Sequence, residues 1–491
     1  MRWQGEGMRL YDTRAREVVP IVPATAGALR IYACGPTVYR DAHVGNMRTF
    51  LLTDLIRRTA GWSGLRVQLV QNITDVGHMA DDTGLGGAGL GDVDEGQGDT
   101  QDRILAQALA EGRGALEVAR HYEAAFHRDL AALNIHPADA YPRASESIDA
   151  MIDLIGRLIE RGHAYVGTDG SVFFDARSYP GYGELSGNRL DQLRPGHRFE
   201  GGVDPAKRFH ADWALWKHAG PTRTQLVWDT PWGRGFPGWH TECSAMSLQL
   251  LGETIDIHTG GIDLRFPHHE DERAQSNCAA GDPADQDREV VRHWVHAEHL
   301  LFEGRKMSKS AGNVVLVSDL MGAGLDPLSL RLAFLQHRYR QQMNLTWQVL
   351  QGAHDTLQRW RARVADWAQE PSAAAAAAYV DRVATGFADD LDTPRALQAV
   401  RELERDPDVS PGAKFESFAM LDRLLGLDLA QQVGQAARTT DLPSEVRDLL
   451  ARREAARLAK DWGTSDLLRD QLAVLGFAVT DTPQGQQVHP G

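Results

Sequence analysis

An α/β fold on a parallel sheet, with an inserted α/β region, a following helical bundle and a small C-terminal module, is predicted by three features of the 491-residue sequence. A strand–helix–strand pattern opens the chain, the same alternation resumes past residue 250, and strand patterns vanish from about residue 341. The boundaries expected are an N-terminal segment over 1–28, the parallel-sheet domain over 29–325 with its insertion at about 115–225, the bundle over 326–430 and the module over 431–491.

Each element follows from a period. "LRIYA" alternates through Leu29, Ile31 and Ala33, "VGNMRTFLLTDLIRRTAG" places Met47, Leu51 and Leu55 at helical spacing, and "LRVQLVQNI" alternates again. The stretch 83–99, rich in glycine and acid, has almost nothing to pack and reads as a surface insertion. Amphipathic helices are expected at about 115–133 (Val118, Tyr122, Phe126, Leu130) and 146–161, then a hairpin turning at Thr168, Asp169 and Gly170. A strand in "ETIDIHTGG", a helix from His268, one strand in "RHWVHAEHLLFEG" and a helix opened by Asp326 and Pro327 resume the sheet. Helical patterns at 352–368, 378–391 and 394–406 make the bundle. Two more helices and a hairpin in "FAVTDTPQGQQVHP" make the terminal module.

A formal charge of −15 argues against a general polyanion binder, so any nucleic-acid contact must be local. Three widely spaced cysteines suit a reducing compartment and metal or catalytic use better than a disulfide framework. Neither a signal-peptide pattern nor a long apolar run is present, which leads to the expectation of a cytoplasmic protein without membrane spans. Met8 would serve as well as Met1 for a start.

Three motifs carry chemistry. In "FPHHEDERAQS" a helix opening after Pro267 puts His268 and Glu272 one turn apart on one face, as two ligands of one metal would be, and Cys34 and Cys243 would complete a thiolate-rich tetrahedron. On spacing alone an exposed His–Glu pair describes it as well. In "EGRKMSKSAGN", Lys306 and Lys309 flank small hydroxyl residues between Gly304 and Gly312, a loop able to meet charge developing on a pyrophosphate leaving group. In "IYACGPTVYRDAHVGN", a strand runs through a glycine turn to His43 at a helix start, where free N–H groups favour phosphate. Neither G-x-G-x-x-G nor a P-loop occurs near it.

Taken together these motifs resemble those of class I aminoacyl-tRNA synthetases: "HVGN" is similar to the HIGH motif and "KMSKS" matches the second motif residue for residue. With "NITD", "PGWHTECSAMS" and "DIHTGGIDLRFPHHEDE" the resemblance is to the cysteinyl-tRNA synthetase family over nearly the whole chain. It implies a Rossmann-like catalytic domain and an anticodon-binding C-terminal module. The implied activity joins L-cysteine to ATP as cysteinyl-adenylate, Mg2+ accompanying the ATP, and passes the acyl group to the terminal adenosine of tRNA(Cys). One Zn2+ per chain would be held by Cys34, Cys243, His268 and Glu272 to bind the substrate sulfur. Gly35, Thr37, Thr74 and Trp239 would line the amino-acid pocket with His258 close by, and Gly260, Gly261 and Asp263 would face the adenosine. His43, Asn46, Lys306 and Lys309 would serve the phosphates and catalysis; Arg452, Arg453, Arg457 and Lys460 would offer the tail's basic face to tRNA. A monomer is expected.

Asn46 departs from the motif's second histidine, replacing a titratable ring with an amide that can still donate. Two rivals stay in view. A mycothiol-type cysteine ligase shares the metal site and motifs but acylates a sugar amine, and its pattern ends soon after the helical region, whereas this chain continues from about 430 to 491. A non-catalytic RNA-binding or cysteine-sensing paralogue would lack metal ligands or lysines that are present here.

Overall fold

A computed structural model describes residues 7–76, 102–193, 204–281, 288–307, 312–434, 442–482 and 485–490; the glycine-rich stretch 83–99 and Lys309 lie outside the described residues. The chain divides into two compact units, one comprising 1–355, 377–405 and 421–427, the other 356–376, 406–420 and 428–491.

The first unit opens with a hairpin, β1 (Arg9–Asp12) and β2 (Glu17–Pro20), and enters its sheet at β3 (Ala28–Ala33), where Leu29, Ile31 and Tyr32 are fully buried. The crossover α1 (Val44–Trp62) leads to β4 (Arg66–Gln71), which pairs in parallel with β3, Ile31 opposite Leu69. The inserted helices α2 (Arg103–Glu111), α3 (Ala115–Ala132) and α4 (Ile148–Glu160) follow. Next come β5 (Ala164–Val166), β6 (Val172–Phe174), β7 (Trp213–His218), β8 (Trp228–Thr230) and β9 (Gly233–Pro237), an antiparallel sheet of order β5-β6-β7-β9-β8. Its first pair is the expected hairpin, with Tyr165 opposite Phe173. Trp213 and Phe174 stack with centroids 4.4 Å apart and join the core beneath the functional site.

After α5 (Trp239–Leu251), the parallel sheet resumes with β10 (Ile255–Gly261) and, beyond α6 (His268–Ala279), β11 (Val291–Ala297). The order is β11-β10-β3-β4, all parallel, so Ala33, Gln71, Gly261 and Ala297 end on one edge of the sheet. In open parallel sheets the crevice outside such carboxyl ends is where ligands bind. The stretch 292–304, expected as one strand, breaks at Glu298 and His299: β12 (Leu300–Phe302) leaves for a second, three-stranded sheet with β13 (Arg305–Lys306).

Helices α7 (Val317–Gly322) and α8 (Leu328–Leu335) then lead to β14 (Met343–Leu345), which pairs in parallel with β12. That strand corrects the expectation that strands end near 341; at three residues it is too short for its alternation to register. The helices α9 (Trp347–Trp367), α10 (Ala377–Ala388), α11 (Thr393–Arg405) and α12 (Pro411–Leu425) follow, α10 and α11 lying in the first unit and most of α9 and α12 in the second. Within the first unit Asp54 of α1 accepts from Arg58 at 2.8 Å and Arg331 at 2.7 Å, all three buried, and Arg331 also donates to the Leu425 carbonyl. In the second unit α13 (Ser444–Leu458), α14 (Trp462–Val474) and the hairpin β15 (Phe477–Thr482) with β16 (Gly485–Pro490) close on Val446, Leu450, Leu468, Leu472 and Val488. No helix among the described residues is long and apolar enough to cross a membrane.

Candidate active site and metal centre

At the carboxyl edge of the parallel sheet lies a cavity of about 370 Å³, lined among others by Cys34, Gly35, Thr37, His43, Asn46, Trp239, Gly261, Asp263 and Lys306. Nine of the expected residues thus meet in one space because β3, α1, α5, β10 and the β12–β13 hairpin all present their ends to it.

Its floor is built around Cys34, the residue after β3. Gly35 follows with no room for a side chain: a Cβ there would stand 1.6 Å from the Asn72 carbonyl oxygen, so the strand end is held against the loop after β4. The Gly35 N–H donates to Asn72 Oδ1 at 2.8 Å, Asn72 Nδ2 donates to Thr74 Oγ1 at 3.0 Å, and Thr74 Oγ1 donates to Glu242 Oε2 at 3.1 Å. Thr74 therefore sits behind Thr37, bridged to it through the backbone, rather than in the cavity wall.

Cys34, Cys243, His268 and Glu272 are all buried, and one donor atom of each lies within 4.8 Å of the others. The two sulfurs are 3.9 Å apart. Two thiolates each ~2.3 Å from a tetrahedral ion would be separated by ~3.8 Å, so this edge already has the right length. His268 Nε2 is 2.9 Å from Glu272 Oε1, as α6 places them one turn apart, while its Nδ1 faces His240 Nδ1 at 2.9 Å, and His240 Nε2 lies 3.4 Å from Asp271. An orienting partner on the far ring nitrogen is what a ligating histidine requires. Trp239 stacks on the His268 ring with centroids 4.2 Å apart, tying this cluster to the cavity wall. Burial acts to lower His268, but Glu272 and the Cys243 sulfur overcome it and raise the ring to about 10. The donor set thus gathers positive charge, and it fits a soft divalent cation.

A second set was not anticipated. Cys34 and Glu272 also share a 4.8 Å cluster with His258 and His269. Cys34 Sγ lies 3.5 Å from His258 Nε2 and 3.3 Å from His269 Nε2; His269 Nδ1 continues to His296 Nε2 at 2.8 Å, and His296 Nδ1 to Thr13 Oγ1 at 2.7 Å. His269 stands three residues before Glu272, a helical neighbour that the sequence displays as plainly as His268. Gly260 backs onto this group rather than the cavity: a Cβ there would meet His269 Cε1 at 2.5 Å.

The opposite wall is the start of α1. His43 is its N-cap: Nδ1 accepts the Asn46 N–H at 3.2 Å, and Asn46 Oδ1 accepts the His43 N–H at 3.1 Å, a reciprocal capping box. Because a backbone N–H can only donate, Nδ1 must be unprotonated, which leaves His43 Nε2–H and Asn46 Nδ2 as donors. Burial and the neighbouring Arg40 lower His43 to about 4, so its ring is neutral near pH 7. Gly45 makes room for the His43 ring and Met307, each 2.9 Å from where its Cβ would stand. Lys306 faces this wall from β13. Burial raises the Asp263 carboxyl, with His299 and Lys306 among the groups pulling it back. The cavity also takes in Tyr39, Arg40, Thr49, Arg103, Glu298, His299 and Gln342, which the motifs did not single out.

In the second unit the basic face needs one correction. Arg453 is 2% exposed, its Nη1 and Nη2 donating to Asp481 at 3.0 and 2.9 Å and Nη1 also to Gln486, so it holds α13 to the terminal hairpin instead of facing solvent. Arg452 and Lys460 are exposed, and Arg457, half-buried, pairs with Asp481 at 2.8 Å and lies over the Trp462 ring.

Comparison with known proteins agrees with this geometry. Residues 20–82 and 95–355 match the profile of the "tRNA synthetases class I (C) catalytic domain", and residues 439–488 match the "Cysteinyl-tRNA ligase anticodon binding domain". Among relatives, the cysteine–tRNA ligases of Thermus thermophilus and Opitutus terrae are 41% and 39% identical, each alignment covering 98% of this chain and 98% or 99% of the relative. Among solved structures, a Mycobacterium tuberculosis methionyl-tRNA synthetase in complex with methionyl-adenylate superposes with a TM-score of 0.53 at 16% identity, covering 82% of this chain and 92% of that one. A leucyl-tRNA synthetase complex from Agrobacterium radiobacter gives 0.55 at 10% identity, covering 83% and 84%. At such identities the likeness concerns the fold.

Proposed function

The chain belongs to the cysteine–tRNA ligase family of class I synthetases, and from that membership we propose how its own residues divide the work of activating L-cysteine with ATP and charging tRNA(Cys). The observation that carries the reading is the placement of one cysteine-and-histidine donor cluster at the floor of a cavity whose far wall is a helix N-terminus with two outward donors.

Cys34, Cys243, His268 and Glu272 hold a zinc ion, which when bound supplies a soft site that takes a thiolate in preference to serine's hydroxyl. A pocket of shape alone discriminates by only about 1–3 kcal/mol per methylene, so such a site removes the need for editing. Gly35, Thr37 and Trp239 confine the amino acid beside the cluster, with Thr74 and His258 packed behind them. The substrate carboxylate then lies toward α1, where His43 Nε2–H, Asn46 Nδ2 and the helix N-terminus face the phosphates of ATP. As the carboxylate oxygen bonds to the α-phosphorus and pyrophosphate departs, Lys306 meets the leaving charge from the opposite wall; Lys309 is assigned the same work from its match to the motif alone. Gly261 and Asp263 face the adenosine, the carboxylate accepting from ribose hydroxyls.

Magnesium accompanies ATP, and the enzyme acts as a cytoplasmic monomer. Arg452, Arg457 and Lys460 meet the tRNA from the terminal module. The deciding experiment is cysteine-dependent ATP–pyrophosphate exchange followed by charging of tRNA(Cys) with serine as competitor. Exchange and charging are both expected; exchange without charging would replace this reading with the sugar-amine ligase.

A further inference from the structure

We propose that Arg48 is a positioning residue for adenylation, fixing Lys306 against His43 and Asn46; the inference rests on the phosphate-site reading above. Arg48 lies on α1 two residues beyond Asn46 and is buried. Its guanidinium grips main-chain carbonyls in two prongs. Nη1 donates to the Glu298 and His299 carbonyls at 2.7 and 2.9 Å, immediately before β12, and Nη2 donates to those of Arg338 and Gln341 at 3.0 and 2.6 Å, just before β14.

β12 and β14 are parallel neighbours, so one side chain holds the starts of both. β12 in turn pairs antiparallel with β13, Leu301 opposite Lys306. The path from the phosphate-facing helix to the lysine is therefore short: α1, Arg48, the two strand starts, then Lys306. Further along the chain the same helix end is tied again, because the Val44 N–H donates to the Val315 carbonyl at 2.9 Å. Arg48 fastens the near end of the β12–β13 segment as Val44 fastens its far end.

A planar fork with separate terminal nitrogens can serve two strands at once, whereas a lysine ammonium is a single point and can serve one. Arg48→Lys keeps the charge and much of the stem, so folding is retained while one prong is lost. A misplacement of about 1 Å at a reacting group costs on the order of 100-fold. We expect Arg48→Lys to lower kcat of pyrophosphate exchange by about 10- to 100-fold while KM for cysteine and zinc content stay within about twofold. Hydrogen exchange should quicken at 298–306 and 338–345 but not in β10.

A double-mutant cycle isolates the route. If Arg48 acts through Lys306, adding Arg48→Lys to Lys306→Met should cost less than about threefold beyond Lys306→Met alone. Additive losses, an unchanged kcat in Arg48→Lys, or cysteine affinity, zinc content and hydrogen exchange in β10 failing together would each overturn the assignment. Wild-type protein without exchange activity would instead sink the functional reading, and the hydrogen-exchange pattern would still decide whether Arg48 holds the two strands.

Discussion

Asn46 has two separable duties, because its Oδ1 caps α1 and its Nδ2 remains a donor on a residue that lines the cavity. Asn46→Ala removes both. The lost cap costs about 1 kcal/mol of stability, a shift in Tm of roughly 2–4 °C for a domain of a few hundred residues. A hydrogen bond to a charged oxygen contributes about 1.5–3 kcal/mol, and if it is realised in the transition state its loss slows exchange by roughly 10- to 150-fold. Asn46→Asp separates the duties: a carboxylate oxygen still caps, so Tm stays near wild type, but the donor is gone and a negative charge faces the phosphates. Exchange in Asn46→Asp should therefore fall below that of Asn46→Ala. Asn46→His should be tolerated, with a pH signature. The wild-type residue at 46 does not titrate, and its neighbour His43 is lowered to about 4 by burial and Arg40. A folded value below the free imidazole's ~6.5 means that the neutral ring adds to stability above pH ~6.5 and that this gain fades as pH falls toward 4. The ratio of kcat/KM for ATP between Asn46→His and wild type should thus change between pH 6 and 8, while substrate ionisations cancel. Full activity in Asn46→Ala, or more activity in Asn46→Asp than in Asn46→Ala, would refute the donor role.

Glu272→Ala should lower zinc content and cysteine affinity while ATP binding persists, and Cys243→Ser should release zinc where His269→Ala retains it, measured by metal analysis and calorimetry. Asp54→Ala leaves two buried guanidiniums without their carboxylate and should destabilise the first unit by roughly 3–5 kcal/mol in urea. Burial pushes that carboxyl up, but Arg331 and Arg58 hold it below its ordinary range, so the wild-type advantage is present above pH ~4 and shrinks as pH falls through the lowered value. In the terminal module, Arg452→Ala and Lys460→Ala should weaken tRNA charging without touching exchange, whereas Arg453→Ala should lower the module's melting temperature because its three hydrogen bonds to Asp481 and Gln486 are lost. Equal charging by wild type and the Arg452/Lys460 double variant would remove those two residues from the tRNA contact.

What could be read from the sequence was local. Helical spacing put His268 and Glu272 on one face, and a strand-to-helix turn put Cys34 and His43 at two sides of one space. Non-local pairing was not written there. That β11 lies beside β10, bringing Trp294 onto His258 and His296 onto His269, depends on strand order, which no period reports. Arg48 looked like any helix charge because its partners are carbonyls up to 293 residues away. The burial of Arg453 is legible in its place beside Arg452: neighbouring helix positions point about 100° apart, so the two arginines look out from different sides of α13.

The choice between the two overlapping donor sets comes down to where positive charge already resides. Burial pushes both thiols up, yet Cys243 ends below its ordinary value because Cys34 donates to it and the His268 ring stands alongside, while Cys34 ends well above. In the metal-free cluster one proton thus sits on His268, raised to about 10 beside Glu272 and Cys243, and a further proton is kept on Cys34. A divalent ion replaces those two protons without changing the buried charge. In the second set burial lowers His258 to about 4 and His269 well below the usual imidazole, so only Cys34 has a proton to exchange. Two exchangeable protons and two sulfurs, against one of each in the second set, favour Cys34, Cys243, His268 and Glu272 as ligands of a soft divalent ion. His258 and His269 then form a buried, neutral wall on the other side of the Cys34 sulfur.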